Sequence, residues 1–464
     1  MKNLRRFLAL TVIAVLTGLL LNALTIALSQ PKYESELVFV TPSRGDLLAP
    51  VKKEFEAYAQ KVLGTRITMK FIRAGSPICM DRIIAWGGHP DADIFFGGEI
   101  IYHWELKKRG LLMPYHPKGE EKVPDMFLGA PLKDPEGYWH PKLFWGHGFV
   151  YNLKVLEALG LRPPKTWEDL LDPKYKGLIV MCTPSRSSST HINVEVILQR
   201  LGWEKGWGFW RRLAYNIGRF VPRSHDVHEL VDKGEYAVGF GYHLAAVMDK
   251  AKGYPIDMYL DPTGFIFSGV SILKGAPHPN AAKAFLDFWY TEEIQSKVIN
   301  VGGIPVLPTV KVEGAPGTPA GILRSYLHAD NIYEAVKKFK VPPYNFTLAM
   351  SRFKEVNRIF DETIVNKHGE LVASWDGVLS ANSTIAEVKA KLTSLVKKGY
   401  DVSKAEKILA EAEDLLKQAI TAFEAGKYSE AASLANKAKG KANEALSLLS
   451  KLSEIVNVST SLAL

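Results

Sequence analysis

The sequence predicts an α/β protein with a helical C-terminal appendage, and three features carry the prediction. Short apolar runs at 37–41, 67–73 and 92–96 have the length of strands. A helical period separates the first two, with Val51, Phe55, Tyr58, Ala59 and Val62 on one face. Such alternation implies a parallel sheet covered on both sides. Strand signals recur at 178–181, 219–221, 237–242 and 256–259. Beyond Ala381 helical periodicity takes over, with Ala405, Ile408, Leu409, Ala412, Leu415, Leu416 and Ile420 in one stripe.

At 464 residues the chain has room for more than one core. With 47% hydrophobic and 23% charged residues it is globular in composition. The net charge of +9 suits an anionic partner or an anionic membrane surface, and equally a solvated basic exterior. Dense Lys/Arg blocks and zinc-finger spacing are both missing, so nucleic acid is not an expected partner. The two cysteines, Cys79 and Cys182, each close an apolar run and read as buried free thiols.

In chain order, Lys2, Arg5 and Arg6 precede an apolar segment at 7–28. The segment is longer than the core of most export signals and long enough to span a bilayer, so residues 1–30 read as a signal peptide or membrane anchor. In an open parallel sheet, ligands sit outside the carboxyl ends of the strands. That rule selects the loops at 42–45, 74–76 and 97–99. The stretch at 163–190 is the most legible. Pro163 and Pro164 stiffen the approach, Thr166 and Asp169 form a capping box, and Asp172-Pro173 stops the helix. A short strand then empties into Ser185, Arg186, Ser187, Ser188, Ser189 and Thr190, ahead of a helix at 190–201. A hydroxyl-rich loop at a helix N-terminus is a natural anion seat; a flexible polar loop is the bland alternative.

The string TWEDLLDPKYKG at 166–177, with the strand and Pro-Ser loop after it, resembles the extracellular solute-binding proteins of ABC importers. The branch it resembles includes ferric-ion, phosphonate and sugar-phosphate binders. DADIFFGGEIIYHWELKKRGLL at 91–112, KGEY at 233–236 and GIPV at 303–306 fit the same family, and the resemblance covers about 37–310. It implies a two-lobed type II periplasmic-binding-protein fold. The implied organisation is a first lobe at 31–148, a second lobe at 149–264, a return to the first lobe with closing helices at 265–375, and a helical bundle or hairpin at 376–464. The crossings lie within 138–153 and 265–273. Trp145 and His147 become candidate cleft residues, with packing as the competing role. The C-terminal helices fall outside the resemblance. Gly399 and Gly426 read as helix stops and Asp401 as a start, giving three antiparallel helices. Sequons at Asn345, Asn382 and Asn457 fit an extracytoplasmic location.

The resemblance implies that the lobes close on a ligand by hinge bending. Candidate ligand residues are Ser43, Arg44, Ser76, Gly98, Glu99 and Trp145 from the first lobe and its crossing. From the second they are Ser185, Ser187, Ser188, Ser189, Thr190, Arg223 and Tyr242. Hydroxyls and loop amides would donate to an oxyanion, with Arg44 or Arg223 adding charge. The expected partners are a small anionic solute of phosphonate or sugar-phosphate type and an ABC permease and ATPase, with membrane contact through the N-terminal segment. The protein is expected to be monomeric, without a cofactor. Ferric-ion members carry adjacent tyrosines after the KGEY turn. Here the sequence is Gly241-Tyr242-His243-Leu244, which places ferric ion second. A nucleophile elbow, HExxH, P-loop and Rossmann fingerprint are all missing, so an enzyme is not expected. A ligand-sensing or attachment protein of the cell surface is the reading from another class.

Overall fold

The computed structural model describes residues 32–339 and 344–461, with residues 16 and 17. The strands form two separate larger sheets. In the first lobe, β1 (Glu36–Thr41) leads into α1 (Gly45–Val62), β2 (Thr68–Arg73) into α2 (Ser76–Trp86) and β3 (Ile94–Glu99) into α3 (Ile100–Lys108). β4 (Leu112–Met113), the small hairpin β5 (Met126–Phe127) and β6 (Ala130–Pro131), and β7 (His140–Trp145) follow. β1 pairs in parallel with β2 and β3. Alternation does the rest. Phe39 and Phe96 face α1, and Val40 and Phe95 face Cys79 and Ile83 of α2.

The second lobe holds β8 (His147–Asn152), α4 (Leu153–Ala158), β9 (Ile179–Cys182), α5 (Ser188–Leu201), α6 (Trp203–Ala214) and β10 (Ile217–Val221). It is completed by α7 (Ser224–Asp232), β11 (Val238–Tyr242), α8 (His243–Ala251) and β12 (Ile256–Leu260). Its sheet runs β10-β9-β11-β8-β12. Ile179 and Met181 bury against α5 and α6, whereas Val180 and Cys182 bury against α7. Both cysteines are free and buried.

The chain crosses between lobes twice. Gly146 alone separates β7 from β8, and residues 261–265 lead from β12 back to β13 (Ile266–Leu273), which lies antiparallel against β3, β4 and β7. The crossings run so close that a Cβ on Gly148 would lie 2.0 Å from the Tyr259 carbonyl oxygen. His243 ties this hinge: its Nδ1 accepts from Gly146 N at 2.9 Å, and its Nε2 donates to Gly302 O at 2.8 Å. Gly148→Ala should therefore cost roughly 1–3 kcal/mol, the usual penalty for overpacking. A thermal melt that matches the parent would contradict this.

After β13, α9 (Pro279–Trp289) covers the first sheet beside α1, and α10 (Glu292–Lys297) follows. α11 (Pro319–Leu327) packs on α8 of the second lobe, and α12 (Ile332–Phe339) adds Ile332 and Ala335 to the first core.

Two sequence expectations need correction. β3 runs through Gly97, Gly98 and Glu99, which are strand rather than loop. The Thr166–Asp169 box is present, with Asp169 N donating to Thr166 Oγ1 and Thr166 N to Asp169 Oδ2, but it starts only a 3-10 turn. Farther along the chain, α13 (Phe346–Phe360) leans on the second lobe, where Arg352 bonds Glu195 of α5. The first helix of the C-terminal bundle is α14 (His368–Val396), which buries Leu371 and Trp375 in its first turns.

α14, α15 (Ser403–Glu424) and α16 (Tyr428–Ser461) pack together, with an alanine seam (Ala431, Ala435, Ala438, Ala442) that lets α16 lie close to its neighbours. Gly399 and Gly426 take positive φ at the helix ends, where glycine avoids the Cβ clash. The bundle shares one core with the second lobe. Trp375 and Phe423 belong to the same cluster as Trp207 and Trp210, and Arg211 Nη1 donates to Glu424 O at 2.5 Å.

The apolar segment at 7–28 lies outside the described residues apart from residues 16 and 17. Among the described residues, no helix is long and apolar enough to cross a membrane.

Candidate functional site

The carboxyl ends of the strands bring helix N-termini from both lobes face to face. Gly75 caps α2 and Ser187 caps α5, its hydroxyl accepting from Thr190 N at 3.3 Å. Ser76 and Ser188 meet across the gap, with their hydroxyl oxygens 3.2 Å apart. A Cβ on Gly75 would lie 3.3 Å from Arg186 O, so the lobes touch here. Neither helix carries an acidic residue in its first turn. Two positive helix ends brought into contact disfavour one another, and an anion beside them would offset this.

Lys142 adds to this positive field. It lies on β7, wholly buried, and its amine donates to Ser43 Oγ at 2.7 Å and sits 4.1 Å over the Phe96 ring. Burial alone pushes the amine down to about 7, with no carboxylate offsetting it. The sequence argument missed it. The signal was a lone lysine inside the apolar run HPKLFW.

Arg44 closes one flank. Its guanidinium pairs with Asp46 at 2.9 Å and reaches across the lobes to Asp249 of α8 at 3.4 Å. Burial works against its charge, but Tyr242, Asp249 and Asp46 outweigh that and hold it above its ordinary value. Burial, then Asp249, pushes the neighbouring Asp232 carboxyl up to about 7. Tyr242 is buried against Trp145, whose Nε1 donates to Ser268 Oγ at 2.7 Å.

The other flank is covered by α13. Phe353 sits between Tyr102 of α3 at 5.7 Å and His191 of α5 at 4.4 Å. Arg352 forks onto Glu195 at 3.0 and 2.6 Å, and Asn357 Oδ1 lies 3.0 Å from His191 Nδ1. At its far end, Asp361 interacts with Ser185 and Arg186. α13 is thus a third wall, beside the two lobes.

Of the residues chosen from sequence, Ser43, Arg44, Ser76, Gly98, Glu99, Trp145, Ser187, Ser188 and Tyr242 converge on this interlobe region. Ser185 turns to Thr183 at 3.0 Å, and Ser189 is half-buried in the first turn of α5. Thr190 faces inward, beside the Cys182 thiol. Arg223 does not join the cluster. Its side chain is 72% exposed and folds back on Asp226 at 2.6 Å. His147 is a hinge residue, bonded through Nδ1 to Gly264 O. Both His243 nitrogens are engaged at the hinge. Among the described residues, no group of three or more His, Cys, Asp or Glu side chains is placed to hold a metal ion.

The sequence matches the model of the bacterial extracellular solute-binding proteins over residues 90–335, more than half of the chain. The chain belongs to that family. Its members are extracytoplasmic receptors of ABC importers that deliver a solute to a membrane permease; they are receptors, not catalysts. This solute-binding protein is 28% identical over 263 residues to an uncharacterized protein of Haemophilus influenzae, covering 55% of this chain and 75% of that one. It is 30% identical over 264 residues to the phosphoglycerate transport regulatory protein PgtC of Salmonella typhimurium, covering 54% of this chain and 60% of that protein's length. Its fold matches the periplasmic binding protein AfuA of Actinobacillus pleuropneumoniae, solved with fructose-6-phosphate bound. The TM-score is 0.58 at 24% identity, over 71% of this chain and 99% of that one. The matched regions leave the C-terminal bundle as an extension of this solute-binding protein.

Proposed function

We propose that this solute-binding protein captures a small phosphate- or phosphonate-bearing solute between its lobes and passes it to an ABC permease. The carrying observation is the head-on approach of α2 and α5 through Ser76 and Ser188 at 3.2 Å, with no acid in either first turn. Free N–H groups there, the two hydroxyls and the buried Lys142 amine form a site whose positive charge calls for an anion. Relatives add support, one being named for phosphoglycerate transport and another for 2-aminoethylphosphonate binding.

Ser76→Ala with Ser188→Ala is the direct test, by calorimetric titration with glycerol 3-phosphate. Hydrogen bonds to charged groups are worth roughly 1.5–3 kcal/mol, so each lost serine should weaken binding by about tenfold or more. Unchanged affinity in the double variant would remove the seat from this position.

The apolar segment at 7–28 supports export, with either cleavage or retention as an anchor. Sequencing the mature N-terminus separates the two.

A further inference from the structure

Beside the anion seat lies a second set of polar groups that the seat does not use. Glu99 is the residue before α3, Tyr102 lies in the first turn of that helix, and Tyr344 lies one residue ahead of Asn345, the N-cap of α13. They are 5%, 1% and 4% exposed, respectively. Among the described residues, Glu99 Oε1, Tyr102 Oη and Tyr344 Oη have no hydrogen-bond partner, and neither has His191 Nε2. A buried polar group without a partner costs roughly 1–3 kcal/mol, so several in one place call for something to pair with.

They do lie in one place. The Tyr102 and His191 rings flank the same Phe353 ring, and Tyr344 packs edge-on against Phe346 at 4.9 Å. Burial first, and then the Glu99 carboxylate, pushes both the Tyr102 and Tyr344 phenols well up. The set also abuts the seat. A Cβ placed on Gly98 would touch Ser76 Cβ and Tyr102 Cδ2, each at 3.4 Å.

The chemistry is neutral. Burial, reinforced by Glu195, holds the Glu99 carboxyl well above the ordinary carboxylate range, which favours its protonated form. Burial likewise lowers the His191 imidazole, which stays uncharged. Glu195 is already matched by Arg352. A protonated acid and two phenols each both donate and accept. Alcohol groups are their natural complement. An ammonium only donates and would leave the phenol hydrogens without acceptors, whereas a bare alkyl group would satisfy nothing.

We propose that Glu99, Tyr102 and Tyr344 form a hydroxyl-recognising pole, so that the solute is an anionic polyol with its charged end at Ser76–Ser188 and its alcohols against α3 and α13. This reading rests on the anion seat proposed above. It also gives a part in selectivity to a segment outside the family match, because Tyr344 lies beyond residues 90–335.

The test is a titration of the full chain with methyl phosphate, phosphoethanolamine and glycerol 3-phosphate, which differ in the group carried beside the phosphate. Glycerol 3-phosphate should bind at least about tenfold more tightly than the other two. Tyr102→Phe and Tyr344→Phe should each weaken glycerol 3-phosphate by about tenfold and leave methyl phosphate unchanged, with melting temperatures confirming that both variants fold. Equal binding of all three compounds, with neutral phenylalanine variants, would mean that the pole holds only water and would overturn the proposal. Tightest binding of phosphoethanolamine would overturn it in favour of an ammonium site. Methyl phosphate binding that depends on Ser76 and Ser188 reports the seat separately. If none of the three compounds binds, the seat fails and the pole fails with it.

Discussion

Lys142→Met should cost about a hundredfold or more in affinity for glycerol 3-phosphate, and should raise rather than lower the melting temperature. The amine is wholly buried, donates to the Ser43 hydroxyl and lies over the Phe96 and Trp145 rings. Removing a buried charge that lacks a counter-ion relieves the empty protein, while the same change takes a cation away from the proposed site. The pH dependence follows from the amine being pushed down to about 7. Below that pH the empty site already holds the proton, and this group adds no slope to binding. Above it, anion binding must draw a proton onto Lys142, and affinity should fall by up to about tenfold per pH unit. Folding stability runs the other way. Between about 7 and the ordinary lysine value the unfolded chain holds more protons than the folded one, so stability of the empty protein should rise with pH across that window. Titration at pH 7, 8 and 9 in buffers of different ionisation enthalpy measures both the slope and the proton taken up. A flat profile in the parent protein would remove Lys142 from the site.

Arg352→Met should be the most damaging single change outside the two sheets. Glu195 is fully buried on α5, and Arg352 of α13 is its charged partner at 2.6 Å. Breaking a buried pair by removing one member leaves an uncompensated charge and costs roughly 3–5 kcal/mol. The loss should appear in denaturant unfolding of the second lobe. Glu195→Gln combined with Arg352→Met should recover much of it, since the stranded charge is then gone. A double variant as unstable as the single one would show that α13 is held by packing, through Phe353 and Phe346, and not by this pair.

The two-lobed plan was legible because its signals are local. The capping box at Thr166 and Asp169, the serine-rich turn after β9 and the glycine stops at 399 and 426 each depend on residues within a few positions of one another. The α5 cap illustrates the limit of that reading. Its N-cap, Ser187, lay inside the hydroxyl run, but nothing in the run said that Ser188 would face Ser76, more than a hundred residues away. Arg223 shows the opposite error. A cation after a strand looked like a ligand group, yet Asp226, one helical turn on, takes it up at the surface.

Lys142 and Tyr344 were missed for one reason. A lysine in an apolar strand and a tyrosine ahead of a helix have no pattern of their own, and their role comes from what burial denies them. Sequence alone determined the strand–helix alternation, the hydroxyl-rich loop before α5 and the helical tail, because side-chain periodicity and backbone turn chemistry act over a few residues. Only the tertiary structure decided that α13 walls the cleft, that the tail shares the core of the second lobe, and that unpaired polar groups gather beside the seat. Those outcomes depend on solvent exclusion between segments far apart in the chain, and no short-range pattern encodes it.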